Sequence, residues 1–462
     1  MPMPVPRFVA LAIAGMFASV LVGCGPDAID ETDAQNPELL HASVWHMTDV
    51  MVHDIFSPPQ AARSYAYASV AAYEVLAADT SGLRSLADQL NEFEAGPRPP
   101  NEPYVPGLAS THALLTVGTE MVYTQSRMET FHNEMLQRFR DMGIPDAVFE
   151  RSVAYGDAVA AHVLDWAAAD GYKRTRSGPT FTVTDEPGRW RPTPPAYMDA
   201  IEPNWDTHRP FVMTDADQFA PPPPPPYSLE KGSPFYKETM EVYRMGQDLT
   251  EEEREIAAFW DCNPYVMHTQ GHAMFATKQM SPGGHWMGIA IIANRTTGAD
   301  LWRSAEVLAQ TSVALADGFI SAWDEKYRSA LIRPETVIND HIDADWRPVL
   351  QTPPFPEYPS AHSVISAAAA VTLTDLYGDS FAFTDTTERA YGLPDRSYDS
   401  FMQAAEEAAI SRLYGGIHYR MAAEDGTVQG TNVGQWVVNQ IDTQPPAVAE
   451  EAAGRSASKG RR

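Results

Sequence analysis

The chain has 462 residues, 44% of them hydrophobic and 10% aromatic, enough for a sizeable core in two or three domains or in one large helical domain. Its 61 acidic residues against 33 basic ones leave a net charge of −28, which argues against nucleic acid or an anionic membrane surface as partner. Any anion site must therefore gather its cations locally, against the mean field.

Residues 1–23 have the pattern of an export signal. Arg7 precedes an apolar run from Phe8 to Val22 that is too short to span a bilayer comfortably, and small residues stand before Cys24. The ending Leu21-Val22-Gly23-Cys24 resembles a bacterial lipobox, which implies cleavage before Cys24, lipid on its sulfur, and a periplasmic, outer-membrane or cell-surface protein. Gly25 follows, so the acidic retention signal of inner-membrane lipoproteins is missing. Residues 24–37 form an acidic tether. With Cys24 acylated, Cys262 has no partner, and no intramolecular disulfide is expected despite the oxidising compartment.

Residues 38–443 read as a single all-α domain of packed helical bundles. Apolar residues at helical spacing predict helices over Leu39–Phe56 and Ala61–Ala78, then longer ones near Leu108–Met142 and Asp146–Asp170. Residues 171–234 form a proline-rich irregular insertion without helical period. Its run Pro221–Pro226 suits a stiff polyproline connector better than a ligand for a proline-binding domain. Helices resume at Phe235–Met245 and at Thr250–Asp261, the latter opening on a capping-box pattern, Thr250 with Glu253. Gly284–Ile332 is helical with an interruption at Asn294–Gly298. A turn-rich connector, Asp379–Ser400, leads to helices at Phe401–Tyr414 and Glu424–Ile441. The residues from 235 to 443 form the bundle that carries the chemistry, and 444–462 read as a disordered tail.

Three stretches in that bundle carry chemistry. In the first, Lys326 and Arg333 are seven residues apart, one helical face two turns long, with Pro334 ending the helix. In the second, Pro353, Pro354, Pro356 and Pro359 clamp the approach to Ser360-Ala361-His362. Proline discourages helix before Ser360, which becomes an N-cap, and the free N–H groups behind it make an anion site with an imidazole beside it. In the third, Arg412 and His418 flank Gly415-Gly416, a pair able to supply the turn that brings them together. Each stretch alone would pass for a solvated face, a capped core helix or a structural histidine.

In this order the three resemble the signature of the vanadium haloperoxidase and type 2 phosphatidic acid phosphatase (PAP2) superfamily, over about Trp323–Gly426. The resemblance implies a helical fold and a bound oxyanion: vanadate as cofactor, or phosphate as substrate. It assigns positive charge around that oxyanion to Lys326, Arg333 and Arg412, and neutral donors to Ser360 and the backbone N–H of Ala361. It makes His418 the axial ligand of vanadium, or the nucleophile toward phosphorus, and His362 the acid/base group. Trp323 and Phe355 resemble aromatic positions flanking the halide pocket. In a haloperoxidase, hydrogen peroxide and halide then react at bound vanadate, aided by Lys326, and hypohalous acid leaves. Two departures stand out. Ala361 occupies a position usually held by glycine, and Ala422 stands where an acidic residue usually follows the last histidine, leaving Glu424 or Asp425 to orient His418.

Trp323 and Phe355 favour a haloperoxidase over a soluble exported phosphatase acting through a phosphohistidine, and the lack of a further apolar run long enough to cross a bilayer argues against an integral-membrane lipid phosphatase. A non-catalytic surface lipoprotein is the alternative from another class. His268 and His272 have the i,i+4 spacing of a zinc pair, but no third ligand is evident and Gly271 weakens the helix that spacing requires.

Overall fold

The computed structural model describes residues 31–79 and 82–444; the signal, Cys24 and nearly all of the tail lie outside them. Proline, abundant in this chain, starts six of the described helices. At a first helical position its missing N–H costs nothing and its fixed φ suits the turn. After the short α1 (Glu31–Ala34), proline opens α2 (Pro37–Asp54), α3 (Pro58–Ala77) and α4 (Pro106–Met121). The helices α5 (Gln125–Asp141), α6 (Asp146–Ala168) and α7 (Tyr172–Arg176) follow. Beyond the connector, proline again opens α8 (Pro234–Asp248), while Thr250 and Glu253 form the expected capping box of α9 (Glu251–Phe259).

Next come α10 (Pro282–Thr297), α11 (Leu301–Ser329), α12 (Pro334–His341), α13 (Ala361–Tyr377), α14 (Phe401–Tyr414) and α15 (Arg420–Gln440). Helix α13 packs against α15, α11 and α14, and α11 also packs on α3. The largest hydrophobic cluster extends from Ala34 to Ile441, so the N-terminal helices share a core with the bundle that carries the site. Among the described residues no helix is long and apolar enough to cross a membrane.

Among the described residues the fold is all-α apart from two small antiparallel hairpins, β1 (Val266–Gln270) with β2 (Ala273–Thr277) and β3 (Phe383–Asp385) with β4 (Arg396–Tyr398). The first hairpin removes the zinc pair: His268 is on a strand and His272 in the turn, so the helical spacing does not exist. The helix expected over 108–142 is two helices. The carboxylate of Asp54 accepts the backbone N–H of Tyr123 (2.9 Å) and of Thr124 (2.8 Å), and so caps α5 from a distant part of the chain. The break near 294–298 falls later, at Gly298, whose φ of +66° ends α10.

The proline-rich insertion is mostly irregular but firmly placed. Trp190, Trp205 and Met213 are buried in it, and the carboxylate of Asp317 on α11 accepts the backbone N–H groups of Phe211, Val212 and Met213 at 2.6–3.0 Å.

Candidate active site

Lys326 and Arg333 meet, though not on one helix. Helix α11 ends at Ser329, and Ala330 takes a left-handed φ of +46°. The chain then runs extended past the insertion, with Ile332 N donating to Gly188 O (2.9 Å). Pro334 disfavours helix at Arg333, which becomes the N-cap of α12. Both cations are fully buried. The Lys326 ammonium donates to the carbonyls of Pro356 (3.1 Å), Glu357 (3.1 Å) and Pro359 (2.5 Å), and so staples the proline segment in front of α13. Burial, with Arg333 nearby, drives its pKa well below the usual range. Its nitrogen is 5.0 Å from the centre of the Phe355 ring and 6.0 Å from that of Trp323.

Ser360 caps α13 as expected, accepting from Ser363 N at 3.3 Å, and its own N–H reaches Ala422 O at 2.9 Å. That bond ties the head of α13 to α15. His362, on the first turn, has a buried Nε2 with no hydrogen-bond partner, and its ring stands edge-on to Trp260 at 6.0 Å. Burial, then Arg412, then His285 keep its pKa well below the usual range.

Arg412 closes α14, and Gly416, with φ of +76°, turns the chain so that His418 comes back to the same place. The Arg412 guanidinium is held by Ser411 Oγ (3.0 Å), Asp261 O (3.4 Å) and Trp260 O. Arg333 donates through Nε to Phe355 O (2.9 Å) and through Nη1 to Ile417 O (2.8 Å) and His418 Nε2 (3.1 Å), while its buried Nη2 has no partner.

The residue that orients His418 is Glu357, not Glu424 or Asp425. Glu357 Oε1 lies 2.8 Å from His418 Nδ1 and also accepts Tyr419 N at 2.9 Å. Glu424 is exposed near Arg420, and Asp425 accepts the Tyr358 hydroxyl at 2.8 Å. Because arginine only donates, His418 Nε2 must accept from Arg333, which puts the ring hydrogen on Nδ1, facing Glu357. Burial, then Arg333 and Lys326, keep His418 neutral by lowering its pKa strongly. Burial pushes the Glu357 carboxyl up to about 7, against the pull of Arg333. The available signal was the single acidic residue inside the otherwise apolar Pro353–Pro359 run.

These groups meet at a cavity of about 420 Å³ whose wall includes Ala361, His362, Arg412, His418, Trp323 and Phe355. Lys326, Arg333 and Ser360 stand one layer behind that wall. The N-terminal Phe56 and Pro58, the insertion's Met198 and Ile201, and Asp261 and Cys262 after α9 also line the cavity. The rings of Trp323 and Phe355 are 5.1 Å apart. A tetrahedral oxyanion fits this donor set. Two buried side-chain nitrogens, Arg333 Nη2 and His362 Nε2, lack a partner where buried polar groups almost always have one. The cations Lys326, Arg333 and Arg412 outnumber the carboxylates Glu357 and Asp261 beside them, and His418 offers a lone pair fixed in direction.

The family model of the VCPO second helical-bundle domain matches residues 306–444. No curated protein matches the chain significantly. Among solved structures, the first bacterial vanadium-dependent iodoperoxidase is 50% identical and superposes with a TM-score of 0.85, over 89% of this chain and 98% of that one. The apo and holo forms of a bacterial vanadium-dependent chloroperoxidase are 15% identical, with TM-scores of 0.60 and 0.61, over 82% and 89% of this chain and 93% and 95% of theirs. These two share the fold. With half its residues identical over nearly the full length of the iodoperoxidase, the chain belongs to the vanadium-dependent haloperoxidase family.

Proposed function

We propose that this chain is a vanadate-dependent haloperoxidase that oxidises halide with hydrogen peroxide to hypohalous acid, with iodide as its halide. The observation that carries the reading is His418: neutral, buried, its Nδ1–H given to Glu357 and its Nε2 lone pair turned toward Arg333 Nη1. That is the tautomer a metal-binding imidazole needs, with a carboxylate setting it from behind. The choice of iodide is supported by the 50% identity to an iodoperoxidase.

Vanadate, when bound, supplies a Lewis-acid centre that activates peroxide for a two-electron oxidation. The chain's residues do the rest. His418 would hold the oxyanion through Nε2. Arg333 and Arg412 would present planar forks to its oxygens, and Lys326 a point charge from behind the Phe355 ring. Ser360 Oγ and the Ala361 N–H would add neutral donors. His362, low in pKa and unpartnered at Nε2, would accept and return the proton of incoming peroxide. Trp323 and Phe355 would strip water from the halide. Export through residues 1–23 and acylation at Cys24 belong to the same proposal and rest on the sequence pattern alone.

A phenol-type dye, offered with vanadate and peroxide and with chloride, bromide or iodide in turn, tests this. Halogenation should require all three components and be fastest with iodide. Faster turnover with chloride would refute the halide assignment.

A further inference from the structure

Beside the oxyanion cage lies a second cluster that the haloperoxidase chemistry does not use. Cys262 follows α9, His285 is on the first turn of α10, and Glu388 is in the short 3-10 turn Thr387–Tyr391. All three are buried. Cys262 Sγ is 3.3 Å from His285 Nδ1, Glu388 Oε1 is 3.1 Å from the same nitrogen, and the three atoms lie within 4.8 Å of one another. Three separate elements thus converge on one point.

The hydrogen-bond inventory there does not close. Asp385 Oδ1 accepts from Thr387 N (2.9 Å) and Thr387 Oγ1 (2.7 Å), and its Oδ2 takes the hydrogen of His285 Nε2 at 2.7 Å. Nδ1 of the same ring faces a sulfur and a carboxylate. Glu388 Oε1, on a side chain 2% exposed, receives no hydrogen bond. A buried carboxylate oxygen without a hydrogen bond calls for a positive charge beside it, which a protonated His285 supplies when no ion is bound and a metal ion supplies in its place.

We infer that Cys262, His285 and Glu388 bind one divalent first-row transition ion, zinc by preference, at a site that adjoins the vanadate cage through Cys262, which lines the same cavity. Thiolate, imidazole and carboxylate are the donors this borderline-soft ion takes. At Zn–S of about 2.3 Å and Zn–N of about 2.0 Å, tetrahedral neighbours stand roughly 3.3–3.6 Å apart, close to the spacings seen. Asp385 behind His285 is the outer partner that fixes a metal-binding imidazole. Cys262 is held at φ of +44°, in the left-handed region that a cysteine rarely adopts.

The site has a clear structural consequence. The carbonyls of Trp260 and Asp261, the two residues before Cys262, hold Arg412, and the Trp260 ring stacks on His285 at 4.4 Å. An ion on Cys262 would pin this segment and so hold Arg412 and the wall beside His362.

The test uses the full chain, stripped with chelator, free of vanadate and titrated with cobalt(II) and then zinc. A thiolate-to-cobalt charge-transfer band should saturate at about one ion per chain and be displaced by zinc. The band should vanish in Cys262→Ser and persist in Cys24→Ser and in the His268→Ala/His272→Ala double variant. Should Cys262→Ser fail to fold, Asp385→Asn provides the second arm, with zinc affinity expected to fall about tenfold or more. No band in the wild-type chain, or a band unchanged in Cys262→Ser, would overturn the assignment.

Discussion

His418 shows how one carboxylate sets the chemistry of a ring. Glu357 Oε1 takes the Nδ1 hydrogen at 2.8 Å, and Arg333 takes up the lone pair on the other side at 3.1 Å. Replacing Glu357 with Gln keeps an oxygen near Nδ1 but removes the charge that makes Nε2 a better base, so vanadate affinity should drop about 10–100-fold. Equilibrium dialysis of vanadate measures this directly. The same carboxyl gives a pH dependence. Burial raises it to about 7, so wild-type affinity for vanadate should weaken as pH falls through about 7, with that inflection absent in Glu357→Gln.

Stability runs the opposite way. A carboxyl raised from 4.5 to about 7 on folding contributes stability fully present below its unfolded pKa and lost as pH rises through about 7. Melting curves of the vanadate-free wild type should therefore lose ground to those of the Gln variant between pH 4.5 and 7. An equal gap at both pH values would show that Glu357 does not titrate there.

The element that positions the cage is the contact between α13 and α15. Gly426, Gly430 and Gly434 repeat every four residues down α15 and let its backbone lie against α13. A Cβ on Gly430 would stand 1.9 Å from Val364 O, and one on Gly426 2.8 Å from Ser360 O. Gly430→Ala should cost about 3 kcal/mol or more, because the clash is with backbone that cannot turn aside. Thermal melting checks it, and an unchanged transition would mean that α15 does not lie this close.

Helix existence was legible in the apolar periodicity, and Phe401–Tyr414 even in its ends. What stayed hidden was set by partners far along the chain. Asp54 splits 108–142 by capping α5, and the left-handed Ala330 breaks the supposed Lys326–Arg333 helix. The six cage residues were readable because their spacing survives in sequence. Glu357 was not, because its role depends on His418 folding back 61 residues later.

For the whole molecule the governing fact is a net charge of −28 around a cavity that concentrates Lys326, Arg333 and Arg412. The N-terminal helices, the proline-rich insertion and the bundle each supply part of the cavity wall. A bound oxyanion would thus tie three stretches of chain together. Saturation at 100 times the dissociation constant would stabilise the fold by about 2.7 kcal/mol. Iodide oxidation by vanadate-stripped protein, followed as vanadate is added back, probes this arrangement most directly. The wild-type rate should climb from background to a plateau, and His418→Ala should remain at background throughout. An iodide-oxidising rate that ignores vanadate, or p-nitrophenyl phosphate hydrolysis that vanadate merely inhibits, would contradict it.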